Sequence, residues 1–218
     1  MPRVRTKTAG DEVWASAVPY LPRRLTLPAL RKASEDCHGC PLYRTATQTV
    51  FGQGQTGARI MFVGEQPGDM EDKQGAPFVG PAGRVLNEAL AAAGIDRDDA
   101  YVTNVVKHFK WIAVHRRRMH KKPNAREVAA CLPWLEKELE VVQPRILVCL
   151  GATAAQALLG PDVRVTRDRG HLIPSRLAPQ VMATVHPSSI LRQQTSEDRH
   201  REMELFTQDL RVVAQALA

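Results

Sequence analysis

The sequence lacks any apolar run near the roughly 20 residues that a bilayer-spanning helix needs, and its first residues lack the apolar core of a secretory signal peptide. We therefore expect no membrane segment and a cytoplasmic location. Cysteine is scarce, with 4 among 218 residues, which argues against a disulfide-rich secreted domain. An ordinary apolar fraction of 44% argues against disordered and fibrous classes, so we expect one globular domain and a monomer.

Acidic residues are absent from one stretch of the chain, residues 107–122, which reads KHFKWIAVHRRRMHKK and holds seven Lys or Arg and three His. The whole chain carries a net charge of +7 and has a pI near 9.5. This clustering favours an anionic partner such as nucleic acid. On charge alone, a solvated surface loop remains an equal alternative.

Apolar runs alternate with amphipathic stretches from Arg59 onwards, whereas residues 1–24 mix Pro, Arg and small residues without periodicity. We predict an N-terminal extension over residues 1–24 and a single domain over residues 25–218. Its fold is predicted as a three-layer α/β/α sandwich around a central, mainly parallel, four-stranded sheet. The predicted strands are RIMFVG, AYVTNVV, RILVCLG and VMATVH, and the predicted helices cover residues 83–93, 125–142, 152–159 and 202–217.

The turn GEQPGD, residues 64–69, follows the first predicted strand. It begins at Gly64 and presents the carboxylates of Glu65 and Asp69 and the amide of Gln66. Ligands of open α/β sheets bind outside the carboxyl ends of the strands, where this turn lies. Asp72 continues the acidic loop. Phe78 then stands in a stiff Pro/Gly frame, PFVGPAG, where its ring suits stacking on a base, although core packing is the commoner role of a single Phe.

The second and fourth predicted strands also end in polar residues. Asn104 offers both a donor and an acceptor to a planar edge such as that of a pyrimidine, while buried Asn more often braces a loop. His186 precedes Pro187, Ser188 and Ser189, and the apolar pair before Arg192 suits insertion into a nucleic-acid stack. A lone His in this position is more often structural.

Taken together, GEQPGD, PFVGPAG and VHPSS resemble the motifs of the uracil-DNA glycosylase superfamily, in the order and approximate spacing of its iron–sulfur members. The resemblance runs from Cys37 to about Arg211. Within that group the chain most resembles the UdgX family of uracil-DNA-binding proteins, because VKHFK precedes a basic insert that contains RRMHK. The insert is slightly shorter than expected for that family.

The resemblance implies that a uracil nucleotide is flipped out of DNA into a pocket. Phe78 would stack on uracil, Asn104 would pair with its edge, and His186 would hydrogen-bond the O2 region as the base leaves. In UdgX-like proteins a loop histidine, here His120, then captures the sugar as a covalent adduct, with Glu65 orienting it. An ordinary glycosylase of the same fold would use water and turn over, which is the alternative function; a scaffold or redox protein without chemistry is a third.

Further residues of the same motifs receive less specific roles. Gln66 and Asp69 are expected with the catalytic groups, and Gly64 and Gln66 beside the base. Uracil-containing DNA, preferably single-stranded, is the expected partner. The residues expected to contact DNA or hold the loop are Lys107, Arg118, Ser188, Ser189 and Arg192.

The likeness to iron–sulfur members also implies a [4Fe–4S] cluster. Cys37 and Cys40 match the usual Cys-x-x-Cys pair, and Cys131 matches the last ligand. His108 stands where a third cysteine usually lies, so we predict three Cys and one His as ligands. Cys149 is the rival ligand, although its place in an apolar strand favours a core thiol.

Overall fold

The computed structural model describes residues 16–217, which form seven strands, eight α-helices and three short 3-10 turns. The strands are β1 (Ile60–Gly64), β2 (Ala100–Asn104), β3 (Trp111–Val114), β4 (Arg117–His120), β5 (Ile146–Leu150), β6 (Leu172–Ile173) and β7 (Gln180–Thr184). The helices are α1 (Leu27–Ser34), α2 (Asp69–Gln74), α3 (Pro81–Ala93), α4 (Ala125–Val142), α5 (Ala152–Leu159), α6 (Val165–Asp168), α7 (Pro187–Leu191) and α8 (Ser196–Leu217). The 3-10 turns are Val18–Tyr20, Pro41–Arg44 and Arg97–Asp99.

The central sheet has the strand order β2-β1-β5-β7-β6. The first four strands pair in parallel, as the sequence predicts, and β1, β2 and β5 are buried along their whole length. A fifth strand, the two-residue β6, adds an antiparallel edge beside β7 and was not predicted. Two residues are too few to show an alternating pattern, so the sequence gives no sign of this strand.

Helices cover both faces of the sheet and confirm the three-layer architecture. On one face, α4 and α5 pack against β1, β5 and β7 through residues such as Trp134 and Leu135. On the other, α3 and α8 pack through Leu86, Phe206 and Leu210. Helix α4 begins in a reciprocal cap between Asn124 and Glu127, which fixes where the chain leaves the basic insert.

The basic insert forms a β-hairpin where the sequence predicted a loop. Strands β3 and β4 pair antiparallel, with Trp111 opposite His120 and Val114 opposite Arg117. The two-residue turn between them, His115 and Arg116, has φ values of 45° and 62°, as in the tight turns whose twist matches a hairpin.

The predicted N-terminal extension falls partly outside the described residues, since residues 1–15 are not described. Residues 16–24 lie against the domain, because Ala17 is fully buried and its N–H donates to the carbonyl of Ala130. The boundary near residue 24 stays a prediction. No helix within residues 16–217 combines the length and apolarity needed to cross a bilayer.

Candidate active site

A cavity of about 850 Å³ opens at the carboxyl ends of the parallel strands. Loops after β1, β2, β5 and β7 contribute to its wall, together with the end of the basic hairpin. It thereby brings together residues that the sequence places in separate motifs: Glu65, Phe78, Asn104, His120, His186 and Arg192.

Three of these side chains converge on Gly64 at the end of β1. A Cβ atom built at this residue would lie 2.4 Å from Asn104 Oδ1, 2.9 Å from Phe78 Cζ and 3.4 Å from His186 Nε2. Any side chain at position 64 would therefore fill the space between the aromatic ring, the amide and the imidazole. The glycine leaves that space to a ligand.

His186 follows β7 and is held in one tautomer. Its Nδ1 accepts from the backbone N–H of Ser188 at 3.2 Å and lies 2.8 Å from the Ser188 hydroxyl, which accepts from Arg192 at 2.9 Å. With Nδ1 occupied as an acceptor, the ring proton is assigned to Nε2, the atom nearest Gly64. Burial lowers the pKa of His186 to about 4, against the opposing charge of Glu65, so the imidazole is neutral at physiological pH.

Phe78 has a φ of 56°, a left-handed conformation that is rare for an aromatic residue. The ring lies nearly parallel to that of His186, with an interplanar angle of 25° and a centroid separation of 6.2 Å. Strained backbone of this kind is concentrated at functional sites, where the surrounding structure holds it in place. Here it presents a flat apolar face to the cavity.

Asn104 ends β2 and is almost fully buried, yet its side-chain amide has no hydrogen-bond partner among residues 16–217. Its backbone carbonyl, by contrast, accepts from Lys107 Nζ at 2.6 Å. Buried amides are normally paired, so a free amide facing a cavity is available to a ligand.

Glu65 and His120 face each other across the cavity mouth. The Nε2 atom of His120 lies 3.3 Å from Oε1 of Glu65, while Oε2 of the same carboxylate accepts a short hydrogen bond from the Thr153 hydroxyl. Burial acts to raise the pKa of Glu65, but the interactions with His120 and Thr153 outweigh it, so the pKa lies below its ordinary value. The site thus pairs an ionised carboxylate with a half-exposed imidazole.

Arg118 fastens the hairpin to the rest of the domain. Its guanidinium reaches Asp69 Oδ1 at 2.5 Å and Asp72 Oδ2 at 2.6 Å, and it lies over the rings of Phe109 and Trp111. Because Arg118 is two residues from His120 on the same strand, its side chain lies on the same face of the hairpin. Asp69 therefore holds the hairpin, together with its pair to Lys73, and the structure gives it no contact with the reacting groups.

Gln66 also supports the hairpin, whereas the sequence placed it among the catalytic and base-binding groups. Its amide nitrogen donates to the carbonyls of Lys110 and Lys121, and its oxygen accepts from the N–H of Lys110. Both ends of the hairpin are thereby joined through one side chain. The amide is committed to these contacts, although Gln66 still lines the cavity.

Lys107 does not lie on a DNA-binding surface, contrary to the expectation from sequence. It is fully buried, and its ammonium donates to Glu138, Thr103 Oγ1 and the Asn104 carbonyl. The sequence indicates an exposed side chain for a Lys beside a basic insert. Its partner, Glu138, lies 31 residues later in α4, so the pairing is not visible in the sequence. Removing one member of a buried pair costs about 3–5 kcal/mol.

Ser188, Ser189 and Arg192 lie at the start and end of α7, beside the cavity. Ser188 connects His186 to Arg192, as described above, and the hydroxyl of Ser189 donates to the His186 carbonyl at 2.7 Å. Arg192 is exposed. Ser188 and Arg192 line the cavity, whereas Ser189 is not among its lining residues.

The comparisons with known proteins agree with this geometry. The family model described as the uracil DNA glycosylase superfamily matches residues 51–211. The chain belongs to the uracil-DNA glycosylase superfamily. It is 41% identical over 169 residues to a type-4 uracil-DNA glycosylase of Thermotoga maritima, covering 77% of this chain and 84% of that protein.

More distant members of the superfamily are also similar to the chain. A type-4 uracil-DNA glycosylase of Pyrobaculum aerophilum is 36% identical over 175 residues, covering 77% of this chain and 86% of the relative. A type-5 uracil-DNA glycosylase of the same organism is 32% identical over 171 residues, covering 69% and 72%.

Cys37, Cys40 and Cys131 are buried in the hydrophobic cluster on the α4 face of the sheet. Burial raises the pKa of Cys131 to about 12. Their sulfurs also receive N–H donors: Trp134 Nε1 to Cys37 and the Lys107 N–H to Cys131, each at 3.2 Å. Burial alone raises the pKa of Cys149, which lies within the sheet.

The chemistry of these donors fits an iron–sulfur cluster, since buried thiolates stabilised by N–H groups are what such clusters use. The described arrangement is not a preformed cage, because within residues 16–217 no three His, Cys, Asp or Glu side chains are placed to hold a metal ion. His108 is buried, and its Nε2 lies 3.0 Å from Thr49 Oγ1. The cluster and its fourth ligand stay predictions.

Sequence reasoning missed two residues of this superfamily site. Thr153 stands at the start of α5 and binds Glu65, and its place two residues after a strand-end Gly was a usable signal. Glu138 binds Lys107 from the middle of α4. No pattern distinguishes it from the solvated acids of an amphipathic helix.

Proposed function

We propose that this protein excises uracil from DNA and that His120 then bonds to the exposed sugar, as in the UdgX family. The observation that carries the proposal is the position of His120, 3.3 Å from an ionised Glu65 at the mouth of a cavity lined by Phe78, Asn104 and His186. The names of the type-4 relatives support uracil-DNA as the substrate.

A flipped uracil fits the three groups around Gly64. The ring of Phe78 stacks on the base, and the unpaired amide of Asn104 pairs with its edge. The Nε2–H of His186 donates to O2, where negative charge grows as the glycosidic bond breaks. A neutral donor fixed by Ser188 is already oriented for that charge, so little reorganisation is needed at the moment of reaction.

The capture step balances without any added reactant. The electron pair of the glycosidic bond leaves with uracil, and the resulting cationic C1′ accepts the lone pair of His120 Nε2. Only an unprotonated Nε2 has this lone pair, so Glu65, 3.3 Å away, takes any proton from that atom before the attack. The ring proton is then on Nδ1, and the alkylated imidazole carries the positive charge until Nδ1 releases its proton to solvent. Well-placed groups reach effective concentrations of about 10⁵–10⁸ M, against roughly 55 M for water, so an aligned imidazole outcompetes solvent.

A turnover glycosylase is the second candidate, and the exposure of His120 favours it. The His120 side chain is 50% exposed, which leaves room for water beside the same Glu65 carboxylate. A water activated by Glu65 would yield free uracil and an abasic site. The type-4 names of the relatives are compatible with this outcome.

A denaturing gel separates the two candidates. The protein is incubated with a labelled single-stranded oligonucleotide that contains one uracil, and the same oligonucleotide with thymine is the control. We expect a band that survives heat and detergent with the uracil strand alone. Free uracil with an abasic strand and no retained band would support turnover, and an unchanged strand would refute both.

We further propose that Cys37, Cys40, Cys131 and His108 hold a [4Fe–4S] cluster. When bound, the cluster would serve as a structural clip. His108 and Cys131 flank the hairpin in sequence, so ligation of both would join its two ends to the N-terminal Cys pair. The contacts of Gln66 and Arg118 would then hold a hairpin whose two ends are already fixed by the cluster.

A further inference from the structure

We infer that Lys107 and Glu138 are positioning residues for base recognition, which hold Asn104 through its backbone so that its side chain stays free. This inference rests on the proposed function and names the part of the fold that sets its base specificity. It starts from the contrast within Asn104 itself, whose amide is unpartnered among residues 16–217 while its carbonyl is clamped.

The described residues form no hydrogen bond with this amide, so all of its donors and lone pairs are available to a ligand. Its orientation therefore depends on the backbone that carries it. Asn104 is the last residue of β2, an edge strand that pairs within the sheet with β1 alone, so the sheet constrains it from one side. The contact from Lys107 Nζ closes the turn that follows.

The ammonium of Lys107 has three donors and finds three acceptors. It bonds to the Asn104 carbonyl at 2.6 Å, to Thr103 Oγ1 at 2.7 Å and to Glu138 Oε2. A fully paired ammonium has no free donor with which to reorient, so its position is determined by its partners.

Glu138 fixes the other side of this network. Its carboxylate accepts from the Gly52 N–H at 3.0 Å, from the Tyr101 hydroxyl at 2.9 Å and from Thr103 Oγ1 at 2.9 Å. The Glu138 side chain of helix α4 thus contacts the end of β2 inside the core. Well-packed apolar residues in place of a buried ion pair often leave a fold equally stable. We therefore attribute the Lys107–Glu138 pair to positioning of the end of β2.

The test removes the pair without leaving an isolated charge. The Lys107→Met/Glu138→Gln double variant is compared with Arg169→Met/Asp209→Asn, which removes another largely buried ion pair, between the end of α6 and α8. Affinity is measured for single-stranded DNA that contains 2′-fluoroarabino-deoxyuridine, which resists cleavage, and for the matching thymidine strand. The ratio of the two Kd values reports base recognition separately from general DNA binding.

We expect the Lys107→Met/Glu138→Gln variant to lose about tenfold of its preference for the uracil analogue over thymidine. Its affinity for the thymidine strand should change less than twofold. The control variant should keep the ratio even if its Tm falls. An unchanged ratio in the folded Lys107→Met/Glu138→Gln protein would overturn the inference, because the clamp would then contribute only to stability.

A conservative variant covers the case in which the double variant fails to fold. Glu138→Asp keeps both charges but draws the ammonium back from the Asn104 carbonyl. We expect the side-chain amide signals of Asn104 in an NMR spectrum to shift or broaden in this variant, and the Kd ratio to fall with them. Unchanged signals would contradict the clamp. The spectrum needs no substrate, so this result is separable from a failure of uracil recognition, which the wild-type Kd ratio reveals.

Discussion

His120 Nε2 lies 3.3 Å from Oε1 of Glu65, although the two residues come from a hairpin and from the loop after β1. Thr153 holds the other carboxylate oxygen, so Glu65 is oriented from both sides. This contact connects the basic insert to the strand-end cavity. The proposed capture of the sugar by His120 depends on this contact.

Replacing His120 with Ala should abolish the denaturation-resistant complex with uracil-containing DNA, because it removes the imidazole that is proposed to bond to C1′. Slow release of free uracil should remain, since Phe78, Asn104 and His186 are intact. His115→Ala, at the exposed turn of the same hairpin, is the matched control and should form normal adduct on the denaturing gel. Undiminished adduct in His120→Ala would refute the assignment.

Replacing Arg118 with Met should lower the rate of adduct formation about tenfold, because the hairpin loses its bonds to Asp69 and Asp72 and His120 loses its alignment. The neighbouring exposed Arg117 gives the control, Arg117→Met. Single-turnover gels would measure adduct and free uracil together. A shift of products from adduct to free uracil in Arg118→Met alone is expected, whereas equal losses in both variants would indicate a simple charge effect on DNA binding.

Gly64→Ala should reduce uracil excision by about 100-fold while the protein remains folded. The added methyl would lie 2.4 Å from Asn104 Oδ1 and 2.9 Å from Phe78 Cζ, so both must move, and displacements of about 1 Å cost roughly this factor. Gly57→Ala is the control for lost stability, because its φ of 83° strains the backbone of an Ala while no atom lies near the added methyl. Excision assays with circular dichroism distinguish a blocked pocket from an unfolded protein.

The lowered pKa of His186 predicts a particular pH dependence of stability. The folded protein does not protonate this imidazole until the pH falls to about 4, whereas an unfolded chain protonates it near 6.5. Between these values the unfolded state binds the extra proton, so the free energy of unfolding falls as the pH decreases, by up to about 1.4 kcal/mol per pH unit. Denaturant titrations of His186→Gln should show a shallower dependence over this window, and identical slopes would contradict the prediction.

Iron content should depend on Cys131 and not on Cys149. Cys131→Ala removes a proposed ligand whose Sγ accepts from the N–H of Lys107, the residue before His108, so we expect loss of visible absorbance and of bound iron. Cys149→Ala removes a thiol that lies within the sheet and should leave both unchanged. The opposite pattern would identify Cys149 as the ligand.

The sequence was sufficient to predict where the candidate site residues meet. Glu65, Asn104 and His186 each follow a buried apolar strand, and the carboxyl ends of parallel strands share one edge of a sheet. The strands and the helices over residues 125–142 and 152–159 match the structure residue for residue or within a few residues. Periodicity carries this information because each element buries one face or both.

What the sequence did not predict depends on partners distant in the chain. Lys107 is buried because Glu138 lies opposite, 31 residues later, and neither residue looks unusual alone. Gln66 supports the hairpin because Lys110 and Lys121 come together only once β3 and β4 pair. The hairpin itself escaped prediction because β3 (WIAV) is apolar throughout and β4 (RRMH) is mostly basic, so neither strand alternates apolar with polar residues.

The attachment of the hairpin has a consequence for the cell. Gln66 joins its ends, Trp111 donates to the Thr45 carbonyl, and Arg118 binds two aspartates, so the arm that bears His120 is anchored at three places. Under the proposed capture reaction, His120 would keep its product and would not return to its starting state. The copy number of such a protein, and not its speed, would then set how many damaged sites it can mark.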